Sequence, residues 1–148
     1  MTPRVRRTVV SATAVAEFAP RRLLLDTHVW LWWQKNDKKL GPRTRRLIAG
    51  ASEVRFSVAS AWEIAIKAAL GKLKLPVGAD IAEELAQSGF LEMPVALAHA
   101  EAVRQLPPIH RDPFDRMLVA QAGYEGLTLV TVDPEIRAYG ISVHDATT

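Results

Sequence analysis

Apolar and polar positions along the chain change period repeatedly, and the changes predict strands interleaved with helices. Leu23-Leu24-Leu25 is a short apolar run ending in Asp26, the pattern of a strand buried on both faces. Thr27–Lys35 follows with Val29, Trp30 and Trp33 on one side of a helix. Gly41-Pro42 opens a second helix through Ile48, with the proline in a tolerated first-turn position. Val54–Val58 alternates β-branched and aromatic residues and predicts another strand. Across Ser60–Leu70, Ala61, Trp62, Ala65, Ile66, Ala69 and Leu70 recur at helical spacing until Gly71 stops the helix. Helices near Ala79–Ser88 and Ala96–Gln105 enclose a short strand at Phe90–Met93. Pro107-Pro108 forces an extended loop, and Asp112-Pro113 then starts a helix running to Gly123. Leu127–Val132 reads as a strand, Asp133-Pro134 as a short helical turn, and Ile141–His144 as a final strand. Alternation of this kind argues for one α/β domain with a parallel sheet covered on both faces.

Composition narrows the function more than the fold. The 148 residues suit one compact domain, and a hydrophobic fraction of 49% with 24% charged residues is ordinary for a soluble globule. The chain holds no cysteine, which excludes disulfides, thiolate metal sites and a cysteine nucleophile. No run approaches the roughly 18 apolar residues of a membrane span, and a cytoplasmic protein is expected. The net charge of +3 arises in the leader: residues 1–22 carry five arginines against Glu17, while the remainder carries 14 basic and 15 acidic residues. Residues 1–22 are read as a disordered extension or an over-long start in preference to an export signal, because their apolar stretch is weak and rich in Ala, Ser and Thr. One basic patch survives in the body. Lys35, Lys38, Lys39, Arg43, Arg45 and Arg46 are opposed only by Asp37 and could attract phosphates, the alternative being a solvated helix face.

Four acids carry the candidate chemistry: Asp26, Glu63, Asp115 and Asp133. Each has a local explanation. Asp112 before Pro113 is a helix cap with Asp115 favourable in the first turn, and Ser60-Ala61-Trp62-Glu63 matches the capping-box spacing. Asp133-Pro134 is a turn or cap, and Asp26 could cap the helix that follows it. Their common position outweighs these readings. Strand ends and the starts of following helices converge on one edge of a parallel sheet, where ligands bind. At about 6 Å and an effective dielectric near 20, each pair of carboxylates repels by roughly 3 kcal/mol. Six such pairs approach the whole stability of a small domain, roughly 5–15 kcal/mol. The cluster must take up protons or a cation, and an all-oxygen donor set selects Mg²⁺ or Mn²⁺. Such an ion suits phosphodiester hydrolysis. Thr27 and Thr131 flank the acids and either orient them or serve turn hydrogen bonds. His110 reads as a loop histidine, with contact to a metal or phosphate as its alternative. Gly-rich phosphate loops are absent, and neither Ser57 nor Ser60 has a base at a recognisable spacing.

The stretches Leu24-Leu25-Asp26-Thr27-His28, Ser60-Ala61-Trp62-Glu63-Ile64, His110-Arg111-Asp112-Pro113-Phe114-Asp115-Arg116 and Thr131-Val132-Asp133 resemble the PIN-domain family, specifically VapC-type toxins of bacterial toxin–antitoxin pairs. The resemblance runs from Leu23 to Asp145 in the expected order. It implies a three-layer PIN fold over residues 23–148 with a central parallel sheet of four to five strands. It also implies a Mg²⁺- or Mn²⁺-dependent endoribonuclease, in which Asp26 and Asp115 are the principal metal ligands. Glu63 and Asp133 complete the pocket directly or through water. Asp112 matches the motif either as a cap or as a further ligand, and Arg116 joins the basic residues that could meet RNA. A small VapB-like antitoxin and a homodimer are the implied partners. The competing reading is a PIN-like module that binds RNA or protein without cutting.

Overall fold

A computed structural model of the protein describes residues 21–148. The leader Met1–Pro20 lies outside the described residues. Five strands, β1 (Arg22–Leu25), β2 (Glu53–Ser57), β3 (Leu91–Met93), β4 (Thr128–Thr131) and β5 (Val143–Asp145), form one sheet in the order β3-β2-β1-β4-β5. Every pairing is parallel. The helices are α1 (Thr27–Lys35), α2 (Pro42–Gly50), α3 (Val58–Ala69), α4 (Ile81–Ser88), α5 (Leu97–Arg104) and α6 (Pro113–Glu125), with a 3₁₀ turn at Pro134–Tyr139.

The strand period divides the core into two layers. Leu23 and Leu25 point to the face covered by Val29 and Trp30 of α1, Ile48 of α2, Ile64 of α3 and Leu85 of α4. Leu24 points to the other face, where Leu118, Val119 and Ala122 of α6 pack with Leu129 and Ile136. All three leucines of β1 are fully buried, so the central strand has no polar side. Trp30 lies against Phe56 with ring centroids 4.8 Å apart, while Trp32 and Trp33 are only half-buried.

Most predicted elements form within a residue or two of their expected limits. Strand β1 begins at Arg22, the last residue read as part of the extension, and Ser52 N–H donates to Arg21 O just before it. The two-residue shift at the start of α3 changes which residue caps it. The helix begins at Val58, Ser57 is its N-cap, and Ser57 Oγ accepts the Ala59 N–H at 3.0 Å. Ser60 therefore stands inside the helix and is not the first member of a capping box.

The strand order reverses direction between β1 and β4. The chain leaves β1 towards β2 and β3, then returns to β4 and β5 on the other side. Loops diverge at such a point and leave a crevice beyond the carboxyl ends of the strands. Asp26 follows β1 directly, and Asp133 lies two residues beyond β4.

Candidate active site

Asp26 is buried, with 5% of its surface exposed. Its backbone N–H donates to Val130 O, which fixes it against β4. Oδ1 accepts the Thr27 N–H at 2.7 Å, the capping geometry expected from sequence, and Oδ2 accepts the Thr131 hydroxyl at 2.7 Å. Burial raises the Asp26 pKa; the Thr131 and Thr27 hydrogen bonds and the His28 charge work the other way, and the Glu63 charge adds to the rise.

Glu63 reaches the same crevice from the second turn of α3. Thr27 Oγ1 donates to Glu63 Oε1 at 2.6 Å and lies 2.9 Å from Ser60 Oγ. The S-x-x-E spacing thus puts Ser60 and Glu63 on the helix face that meets α1, a tertiary role that the local pattern conceals. One turn on, Lys67 Nζ donates to Glu63 Oε2 at 2.7 Å. That hydrogen bond raises the Lys67 pKa, with the charges of Glu63, Asp112 and Asp115 adding to it, so the ammonium faces these three acids.

The remaining acids arrive from the loop before α6 and from the turn after β4. Asp112 is the N-cap of α6, and its Oδ1 accepts the Phe114 and Asp115 N–H groups. Asp112 thus forms the cap expected of it. Asp115 is pushed up to about 7 by burial first, and then by the charges of Asp26, Asp112 and Glu63. A carboxyl perturbed by three other acids records their convergence. Asp133 caps the 3₁₀ turn through Oδ1, which accepts the Glu135 N–H at 2.9 Å, and its N–H donates to Thr131 Oγ1.

His110 joins Asp115 to Asp133. Its Nε2 lies 2.7 Å from Asp133 Oδ2 and 3.4 Å from Asp115 Oδ2. Ligand atoms of His110, Asp115 and Asp133 all fall within 4.8 Å of one another, the geometry of a potential metal triad. Burial opposes a charge on His110, but the Asp133 hydrogen bond and the charges of Asp115, Asp133 and Asp112 outweigh it and raise the pKa. The sequence gives His110 no ligand spacing because its partner stands 23 positions away. Lys67 does carry a signal in the sequence, since it lies at i+4 from Glu63.

The basic residues divide into two sets. Lys38, Lys39, Arg43 and Arg46 are exposed. Arg45 instead donates to Leu40 O, Asn36 Oδ1 and Asp37 O, tying α2 to the preceding turn. Arg116 donates to Pro107 O at 2.9 Å and also meets Tyr139 Oη and the carbonyls of Val103, Leu106 and His110. These two guanidinium groups organise loops.

A parallel sheet with acids gathered at its topological switch is the α/β class that the geometry defines, and the comparisons place the chain within one family of it. The PIN-domain model matches residues 23–141, and the chain belongs to the PIN-domain family. Among relatives, it is 30% identical over 122 residues to Ribonuclease VapC22 of Mycobacterium tuberculosis (strain ATCC 25618 / H37Rv), covering 79% of this chain and 91% of that protein. Among solved structures it resembles VapBC2 from Rickettsia felis bound to a promoter DNA fragment, with a TM-score of 0.63 at 13% identity over 83% of this chain and 97% of the other. DNA-bound VapBC from Salmonella typhimurium gives a TM-score of 0.62 at 21% identity, over 84% and 98% respectively. These structural likenesses establish the fold.

Proposed function

We propose that the chain is a divalent-metal-dependent endoribonuclease toxin that acts in the cytoplasm and is silenced by a small VapB-like antitoxin. The observation that carries this reading is the electrostatic convergence on Asp115, whose carboxyl is held at about 7 by burial and three neighbouring acids. The donor set fits a hard divalent ion: four carboxylates dominate it, with His110 beside Asp115 and Asp133, and Lys67 is paired with Glu63 alone. Mg²⁺ or Mn²⁺ held there would neutralise phosphate oxygens and lower the pKa of a water. Asp26 and Asp115 serve as the principal ligands, and Glu63 and Asp133 complete the pocket directly or through water. Thr27 and Thr131 orient Glu63 and Asp26 through their hydroxyls.

Likeness to a protein named as a ribonuclease supports RNA as substrate. Likeness to VapBC complexes supports an antitoxin partner. Among the described residues no helix is long and apolar enough to cross a membrane. A homodimer is part of the same proposal, supported by an apolar hollow lined by the exposed Val58, Trp62 and Val95. The test is cleavage of RNA by the antitoxin-free protein with Mg²⁺ or Mn²⁺. Cleavage should stop with EDTA and in Asp26→Asn. Metal-independent cleavage would contradict the mechanism, and RNA binding without cleavage would favour a module that only holds its ligand.

A further inference from the structure

His110, Asp115 and Asp133 look like a three-ligand metal site, yet the histidine's hydrogen bonds assign its lone pair elsewhere. The Asp112 backbone N–H donates to His110 Nδ1 at 3.1 Å. A backbone N–H cannot accept, so Nδ1 must carry the lone pair and the ring proton must sit on Nε2. That proton points at Asp133 Oδ2, 2.7 Å away, with Asp115 Oδ2 at 3.4 Å. Binding a cation through Nε2 would require the proton to move to Nδ1, where it would oppose the Asp112 N–H. The loop also resists rotation of the residue. The His110 N–H donates to Tyr139 Oη at 2.8 Å, and Arg116 holds both the His110 carbonyl and the Tyr139 oxygen.

We propose that His110 is a positioning residue of the active site, fixed as the Nε2–H tautomer, which donates to Asp133, stands beside Asp115 and does not ligate the metal. The proposal rests on the metal pocket described above. Its consequence is geometric. Asp133 stands at the start of a short turn, and with Oδ1 on the Glu135 N–H and Oδ2 on His110, both of its oxygens are held. Oδ2 keeps a second lone pair beyond the one that His110 engages. Histidine thereby exchanges the common arrangement, in which a carboxylate orients a ligating imidazole, for the reverse.

The experiment combines two spectroscopic measurements with a pair of variants on the full chain. Long-range ¹H–¹⁵N correlation in the Mg²⁺-loaded protein at pH 8 should show His110 protonated on Nε2 and bare on Nδ1. Electron spin-echo modulation of bound Mn²⁺ should show no directly coordinated nitrogen. His110→Ala should weaken Mn²⁺ binding about 10–100-fold, the usual effect of losing an outer-shell partner. His110→Gln, whose amide can still donate to Asp133, should recover most of that loss. A coordinated ¹⁴N in the wild type that vanishes in His110→Gln, or a proton on Nδ1, would overturn the assignment while leaving the metal pocket intact. Failure of Mn²⁺ to bind the wild type at all would instead overturn the pocket, and this inference with it.

Discussion

The Thr131 hydroxyl donates to Asp26 Oδ2 at 2.7 Å and accepts the Asp133 N–H at 3.2 Å. One buried side chain on the last residue of β4 therefore sets the positions of two acids 107 residues apart in the chain. Thr131→Val keeps the shape and removes both bonds. A buried acceptor left without its donor costs about 1–3 kcal/mol. The variant is expected to unfold at lower urea concentration at neutral pH, with the Asp26 pKa rising further because a bond to its charged form is lost.

Asp115 makes stability depend on pH in a direction unusual for a carboxyl. Its folded pKa is raised from 3.8 to about 7. Between those values the folded chain holds a proton that the unfolded chain releases, so stability falls as pH rises. Urea midpoints of the metal-free protein should decline from about pH 4 and level off above about pH 7. Asp115→Asn should flatten that decline and abolish RNA cleavage. Adding Mn²⁺ should restore wild-type stability at pH 8, where the carboxylates are charged.

The two groups of basic residues should separate in a salt titration. Arg116→Ala removes donors to the loop carbonyls and is expected to lower stability by about 1–3 kcal/mol. It should leave the salt dependence of RNA affinity unchanged when measured with a catalytically inactive background. Substituting Lys38, Lys39 and Arg43 together should weaken RNA binding and flatten the slope by about 0.7 for each phosphate that is no longer neutralised. An unchanged slope in the triple variant would move the RNA path to another surface.

Local pattern suffices where a segment's structure is decided locally. The three leucines of β1 and the helix Thr27–Lys35 are legible because apolar burial and helical spacing leave few alternatives. The positions of Asp26 and Asp133 are legible for the related reason that strand ends in parallel sheets share an edge. Ser60 is not. Its spacing to Glu63 satisfies a local rule, but the hydroxyl packs against Thr27 from another helix, and Ser57 caps α3. The same limit hides His110, whose meaning comes from Asp133 across a fold that brings loop and turn together. Arginine is equally ambiguous in sequence: Arg116 looks like a phosphate ligand until the carbonyls around it are located.

Calorimetric titration of the antitoxin-free protein with Mn²⁺ tests the acidic pocket most directly. The wild type should bind, and Asp26→Asn and Asp115→Asn should each bind at least about tenfold more weakly, a loss of about 1.4 kcal/mol. Both variants should keep cooperative unfolding. Equal Mn²⁺ affinity in the wild type and both variants, or no binding by any of them, would contradict a divalent-ion site built on these carboxylates.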